Sequence, residues 1–441
     1  MNGVLKGTCS VIAPISPDPS ASATGASGEG VRWPPPQSVS TQSHRFRGLI
    51  SGLVTGASDV DPALVLTATV AGAAYHYSLL WSVLLSVPLL LAVFAVSARI
   101  GFETRKGLVD LLHSHYGRAI ALSCALLIVV INLVMIVADM MAVTEAFSIV
   151  AGLPRMFFIA AVAFSVWYVL IFRDYRRITH ALALLSLPLF IYVVAAVLAH
   201  PDWQQVISYS LLPRIPRDPG YPATVIAILG SLLTPYVLVW QTSSRREDAL
   251  AGVPSPSGAE HRAGAIVTTV LCYSIMVAAG TVLHAPLASD LTTRVAASAL
   301  TPAVGVLGTV LFAVGIIGAG MVALPVLVAS MCYSVAEAMG WRSGLNEDPW
   351  EAVRFYVLIS GAMLVAASLN FIHANPVIVL YWSQILAGAL TVPILLFILL
   401  ISNDRRVMRT TNTWWQNFWI GAAAGAVVAA AIILLWWKIR S

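Results

Sequence analysis

The sequence predicts an all-α polytopic membrane protein, built as two inverted sets of five spans with an eleventh added. Three observations carry that prediction. The 441 residues are 59% hydrophobic and only 10% charged, whereas a soluble domain carries about 25% charged residues. Eleven apolar runs have the length of about 18 residues or more that a membrane span needs. Two of them, the first and the sixth, are broken near the middle by a glycine followed by a proline, Gly56 with Pro62 and Gly230 with Pro235. Proline removes a helix hydrogen bond and clashes with the preceding turn, so both spans are expected to be discontinuous. Unwound backbone at bilayer depth survives only where it is buried in protein or lines a cavity. Paired interruptions in the two halves of a chain point to a transporter's substrate site.

The runs fall at 48–72, 77–98, 119–150, 156–172, 179–199, 222–242, 263–286, 304–336, 353–372, 376–402 and 416–437. The third and eighth are long enough to tilt or to extend beyond the bilayer. Residues 1–44 are rich in Ser, Pro, Gly and Ala and lack the basic start and apolar run of a signal peptide. They are expected to form a disordered cytoplasmic tail ahead of a transporter domain over 45–441. The Pro/Gly-rich segment 251–258 is expected to be linker. Each set of five spans is odd in number, so the second set starts from the opposite side of the membrane. The last span carries Trp414, Trp415 and Trp419 at one end and Trp436 and Trp437 at the other, as interfacial anchors do.

Charge sets the orientation. One group of alternate loops holds Arg99, Arg105, Lys106 and Arg118, then the clusters at 173–177, 245–262, 342–354 and 405–409. The opposite loops hold few basic residues. The positive-inside rule places the N-terminus in the cytoplasm and the C-terminus outside, in a multi-pass protein of the cell membrane. The net charge of +5 follows from that bias and is no argument for nucleic acid. Cys9, Cys124, Cys272 and Cys332 show no ligand-like spacing. There is no nucleotide loop, nucleophile motif or soluble catalytic domain, so no enzyme and no cofactor are expected. The partners are the bilayer and a small solute, for which a monomer suffices.

Asp61, at the first break, is the leading candidate site residue, because a carboxylate at mid-membrane costs about 2.5–3.5 kcal/mol on insertion scales and is rarely idle. It also stands where a side chain would cap the half-helix after Pro62. Asp59 lies two residues earlier, as a second ligand, a proton acceptor or plain structure. Ser231 and Thr234 offer hydroxyls beside the second break, where they either meet the substrate or bond back to the preceding turn. Tyr236 is a gate or packing aromatic. Asp139 and Glu145 are six apart on one helix and do not share a face. Arg354 starts the ninth span, as a cytoplasmic ion pair or the end of a proton route. His180, His284 and His373 fall near span ends.

Several segments together resemble the NRAMP family of proton-coupled divalent-metal transporters, with its LeuT-like five-plus-five inverted repeat. Asp61-Pro62-Ala63-Leu64 stands where that family has Asp-Pro-Gly-Asn. IVADMMAVTEA in the third span is similar to its Ala-Thr-Asp-Leu-Ala-Glu segment. Gly230-Ser231-Leu232-Leu233-Thr234-Pro235-Tyr236 falls on Gly-Ala-Thr-Val-Met-Pro-His, and SQILAGALTVPILLFILLISNDRRVM resembles the tenth span and the following loop. The resemblance implies that Asp61 and Thr234 stand at metal positions, that Asp139 keeps the proton-path position, and that Gln384 with Tyr381 completes the site. It also implies a proton as coupling ion. The departures are specific: the Asn position is Leu64, the Met position is Thr234, the His position is Tyr236 and the Glu after Asp139 is Ala142. Exchanging a thioether for hydroxyl and carbonyl oxygen shifts preference from soft metals towards Mg²⁺ and Mn²⁺. The implied activity is alternating-access transport of such a cation. A transporter of a small organic cation or polar solute on the same fold, and a non-transporting membrane sensor, are the competing readings.

Overall fold

The structure is a computed structural model that describes residues 60–172, 187–218, 220–250, 258–283, 291–345, 347–372 and 374–440. The tail, Gly56, Asp59, most of the 251–258 segment and the three span-end histidines lie outside the described residues. So does the first part of span one, including its expected interruption. Every described regular element is helical. In order they are α1 (Pro62–Tyr75), α2 (Leu80–Thr104), α3 (Leu108–Tyr116), α4 (Arg118–Ala151), α5 (Met156–Phe172), α6 (Ile191–Leu198), α7 (Trp203–Leu211), α8 (Gly220–Leu232), α9 (Pro235–Leu250), α10 (Gly258–Val282), α11 (Thr293–Ala297), α12 (Thr301–Val304), α13 (Gly308–Met339), α14 (Val353–Leu369), α15 (Pro376–Asn403) and α16 (Trp414–Arg440), with short 3₁₀ turns before α6 and around α12.

Among the described residues, seven helical stretches are long and apolar enough to cross a membrane, and four shorter apolar helices stand within the remaining expected spans. The elements α3, α7 and α11 lie in stretches the apolar pattern left as loops; each is short, and α3 and α7 are too polar to register as spans.

Local chemistry sets the helix ends. Asp61 caps α1, with Pro62 in the first turn, where a missing N–H costs nothing. Asn375 and Pro376 repeat that device at α15, the Asn375 side chain accepting from the Val377 N–H at 3.0 Å. Gly152 and Gly340 end α4 and α13 in the left-handed region, which glycine enters without a Cβ penalty.

The sixth span is broken as expected, at Leu233–Thr234 directly before Pro235. Pro235 brings no N–H, and the chain restarts as α9 with the Val237 N–H donating to the Thr234 carbonyl at 3.2 Å. The Leu233 carbonyl accepts from the Thr391 hydroxyl of α15 at 3.2 Å, so a neighbouring helix satisfies a group that the break releases. Gly230 lies inside α8. A Cβ there would stand 2.3 Å from the Gln384 carbonyl oxygen, and one on Gly388 would stand 2.4 Å from the Ile226 carbonyl. These glycines let α8 and α15 cross with backbones in contact.

Helix α1 and the broken sixth span form the centre. Pro62 through Ala73 of α1 are all buried, and 94% of the apolar window in Gly220–Leu250 is buried, against 28% in Trp414–Trp436. The eleventh span is therefore peripheral. The long α4 and α13, 34 and 32 residues, run about 50 Å at 1.5 Å per residue and pack along one another. Helices α4, α8 and α15 pack around α1, which places the start of α1 inside protein.

Candidate functional site

At the start of α1 the Asp61 carboxylate is 1% exposed. Its Oδ1 accepts from the Leu64 N–H at 2.6 Å, the capping bond that a carboxylate at a helix N-terminus makes. Its Oδ2 accepts from the Tyr236 hydroxyl at 3.0 Å. Tyr236 is the second residue of α9 and is itself buried. One carboxylate thus joins the starts of two half-helices that are far apart in the chain. Leu64, at the family's Asn position, contributes a backbone donor and a fully buried apolar side chain.

Asp139 of α4 is fully buried, lies within electrostatic reach of Asp61, and faces the Ala63 backbone N–H of α1, with no side-chain donor on either oxygen among the described residues. Gln384 of α15 is fully buried with neither amide atom partnered, and the Thr67 hydroxyl of α1 is likewise unpartnered. Buried polar groups are nearly always hydrogen-bonded. An unpaired buried carboxylate is especially costly unless an ion or donor compensates it. Helices α1, α4 and α15, which carry these groups, pack on one another.

The other candidates fall elsewhere. The Ser231 hydroxyl bonds back to the Ile228 carbonyl at 2.9 Å inside α8, so the side chain is turned onto its own helix, while Pro235, four residues on, brings no N–H for the Ser231 carbonyl. Thr234 is buried at the break, and its carbonyl already serves Val237. Pro235 begins α9 and Pro62 begins α1. Tyr381 pairs with the Thr224 hydroxyl at 2.7 Å. Arg354 is exposed, with its guanidinium over the Trp341 ring at 5.6 Å. Among the described residues no three His, Cys, Asp or Glu side chains gather as a metal cluster.

At the other end of α1, about 20 Å away at 1.5 Å per residue, a cavity of about 790 Å³ is lined by Tyr75, His76, Gln205, Arg214 and Asp218. The Tyr75 hydroxyl donates to Asp218 at 2.8 Å across it.

Sequence reasoning missed Glu337, near the end of α13. Its buried carboxylate accepts from the Ser243 hydroxyl at 3.0 Å and the Val109 N–H at 3.2 Å, and pairs with Arg246 at 3.4 Å. This network ties α9, α3 and α13 together. The available signal was an acidic residue in the last turns of an otherwise apolar run.

Comparison with known proteins follows the same lines. The divalent metal cation transporter MntH of Deinococcus radiodurans is 26% identical over 278 residues, 59% of this chain and 62% of its own length. That of Burkholderia ambifaria is 26% identical over 182 residues, 41% of each. The chain thus spans about two fifths to three fifths of the length of these curated relatives. Among solved structures, the manganese transporter of Eremococcus coleocola bound to an aromatic bis-isothiourea compound superposes with a TM-score of 0.68 at 16% identity, covering 90% of this chain and 88% of its own. MhsT in complex with L-phenylalanine gives 0.53 at 14% identity, covering 89% and 98%. These likenesses show the LeuT-like fold. Residues 52–437 match the family model described as natural resistance-associated macrophage protein-like, and the chain belongs to that Nramp family.

Proposed function

We propose that this chain is a secondary transporter that moves a divalent cation, Mn²⁺ or Mg²⁺, across the cell membrane by alternating access, with a proton as the coupling ion. Transport rather than catalysis fits the family. The observation that carries the reading is the pair of buried carboxylates, Asp61 at the start of α1 and Asp139 of α4, within electrostatic reach of each other on packed helices. Two like charges in a buried site lower their energy by taking up a cation. The polar side chains named above are carboxylate, amide and hydroxyl, oxygen donors of the kind that suits Mg²⁺ and Mn²⁺. The names of the MntH relatives support the same class of substrate. Asp61, with Thr234 at the second break and Gln384, is assigned to the cation. Asp139 is assigned to the proton, and Arg354 is the residue to test as the end of its route. The basic loops face the cytoplasm in this reading.

The test is uptake of Mn²⁺, Mg²⁺ and Ca²⁺ into proteoliposomes, with and without an inward proton gradient, comparing the parent with Asp61→Ala. Uptake of Mn²⁺ or Mg²⁺ that the gradient accelerates and the substitution abolishes is the expected result. If no cation enters, or the variant matches the parent, the proposal is wrong.

A further inference from the structure

We infer that Tyr236 is a substrate-displaced latch, whose hydroxyl occupies the face of Asp61 that a cation must use. The inference rests on the cation-transport reading above and goes beyond it by assigning what holds the empty site closed. Three observations carry it. The Oδ1 atom of Asp61 is committed to the Leu64 N–H at 2.6 Å; that donor belongs to the same half-helix and travels with Asp61 in any rigid motion. The Oδ2 atom is held by Tyr236 at 3.0 Å, from a different half-helix. The carboxylate is 1% and Tyr236 2% exposed, so neither is open to the surface, and among the described residues the hydroxyl is the one side-chain donor seated on Asp61.

A hydroxyl and a cation compete for the same lone pairs, and hydrogen bonds to ionised groups are among the strong ones. A cation therefore gains its full attraction to Asp61 only after the Tyr236 hydroxyl has moved. Tyr236 stands directly after the Thr234–Pro235 break, where Leu233 and Thr234 lie outside regular helix. The displacement releases the start of α9 from the start of α1, so occupation of the site and loosening of a half-helix become one event. Because the cost of moving the hydroxyl is the same for every cation, Tyr236 sets the affinity of the site without choosing among divalent ions.

Tyr236→Phe removes the hydroxyl and keeps the buried ring. Titration of the purified parent, Tyr236→Phe and Asp61→Ala with Mn²⁺ and Mg²⁺ by calorimetry gives the first readout. Tyr236→Phe is expected to bind both ions about tenfold more tightly than the parent, the factor that one hydrogen bond to a charged group carries. Amide exchange over 235–250 gives the second: without metal it is faster in Tyr236→Phe than in the parent, and saturating Mn²⁺ brings the parent to the variant's rate. A merely structural tyrosine predicts weaker binding on truncation. Binding that Asp61→Ala abolishes but Tyr236→Phe leaves equal or weaker, or exchange that does not change, overturns the latch and leaves the cation reading standing. No binding in parent and Tyr236→Phe alike overturns both.

Discussion

Replacing Glu337 with alanine is expected to destabilise the protein by about 3 kcal/mol, as follows from the burial of its partners. The Glu337 side chain is 2% exposed and the Arg246 side chain 18%. Removing one member of a buried ion pair costs about 3–5 kcal/mol, mostly because the surviving charge is left uncompensated. Arg246 is partly wetted, and its Nη2 also donates to the Ser343 carbonyl at 3.2 Å, which lowers that share. The Val109 N–H and Ser243 hydroxyl, both buried, lose their acceptor as well, each adding part of the about 1–3 kcal/mol of an unsatisfied buried group. The site is built around this carboxylate, since a Cβ on Gly107 would stand 1.8 Å from Glu337 Oε1. Glu337→Gln keeps one acceptor oxygen, enough for Ser243 or for Val109 but not for both, since they bond to different oxygens of Glu337, and should cost less than alanine. Equilibrium unfolding in mixed micelles measures the loss, and a double-mutant cycle with Arg246→Met isolates the pair. A loss under about 1 kcal/mol, or strict additivity in the cycle, would show that α9, α3 and α13 are not held by this network.

Two other substitutions separate packing from function. Gly230→Ala places a methyl 2.3 Å from the Gln384 carbonyl; neither backbone yields easily, so about 1–3 kcal/mol of overpacking strain is expected together with slower cation uptake. A melting temperature and uptake rate equal to the parent's would contradict the close crossing of α8 and α15. Asp139→Asn removes a buried carboxylate that stands near Asp61 and should raise the melting temperature in the absence of metal while reducing proton-driven uptake. Its assignment to the proton fails if the variant melts lower and still responds fully to a pH gradient.

The discontinuity of the sixth span was legible because proline's chemistry is local: a missing N–H ends a helix wherever it occurs. Gly230, by contrast, is legible only as a possible flexible point. Its glycine is required by the backbone of α15, a neighbour more than 150 positions on, and no local pattern announces that. Asp61 was legible because an ionisable residue within an apolar run is conspicuous. That its two oxygens would be taken by Leu64 and Tyr236 was not, since the second partner comes from the other half of the chain. Ser231 shows the opposite failure: a hydroxyl near the break invites a substrate contact, yet it closes locally on Ile228.

By itself the sequence determined the bilayer as solvent, the helical class and the place of the broken sixth span, because hydropathy and backbone chemistry act over a few residues. Only the tertiary structure decided that α1 is buried from Pro62 to Ala73, that Thr391 satisfies the opened Leu233 carbonyl, that the Gln384 amide remains unpaired, and that Tyr236 donates to Asp61. The two contacts join residues 158 and 175 positions apart. Which distant polar groups meet inside a membrane protein is set by how whole helices pack, and helix packing depends on close backbone approach and shape more than on any single residue's character.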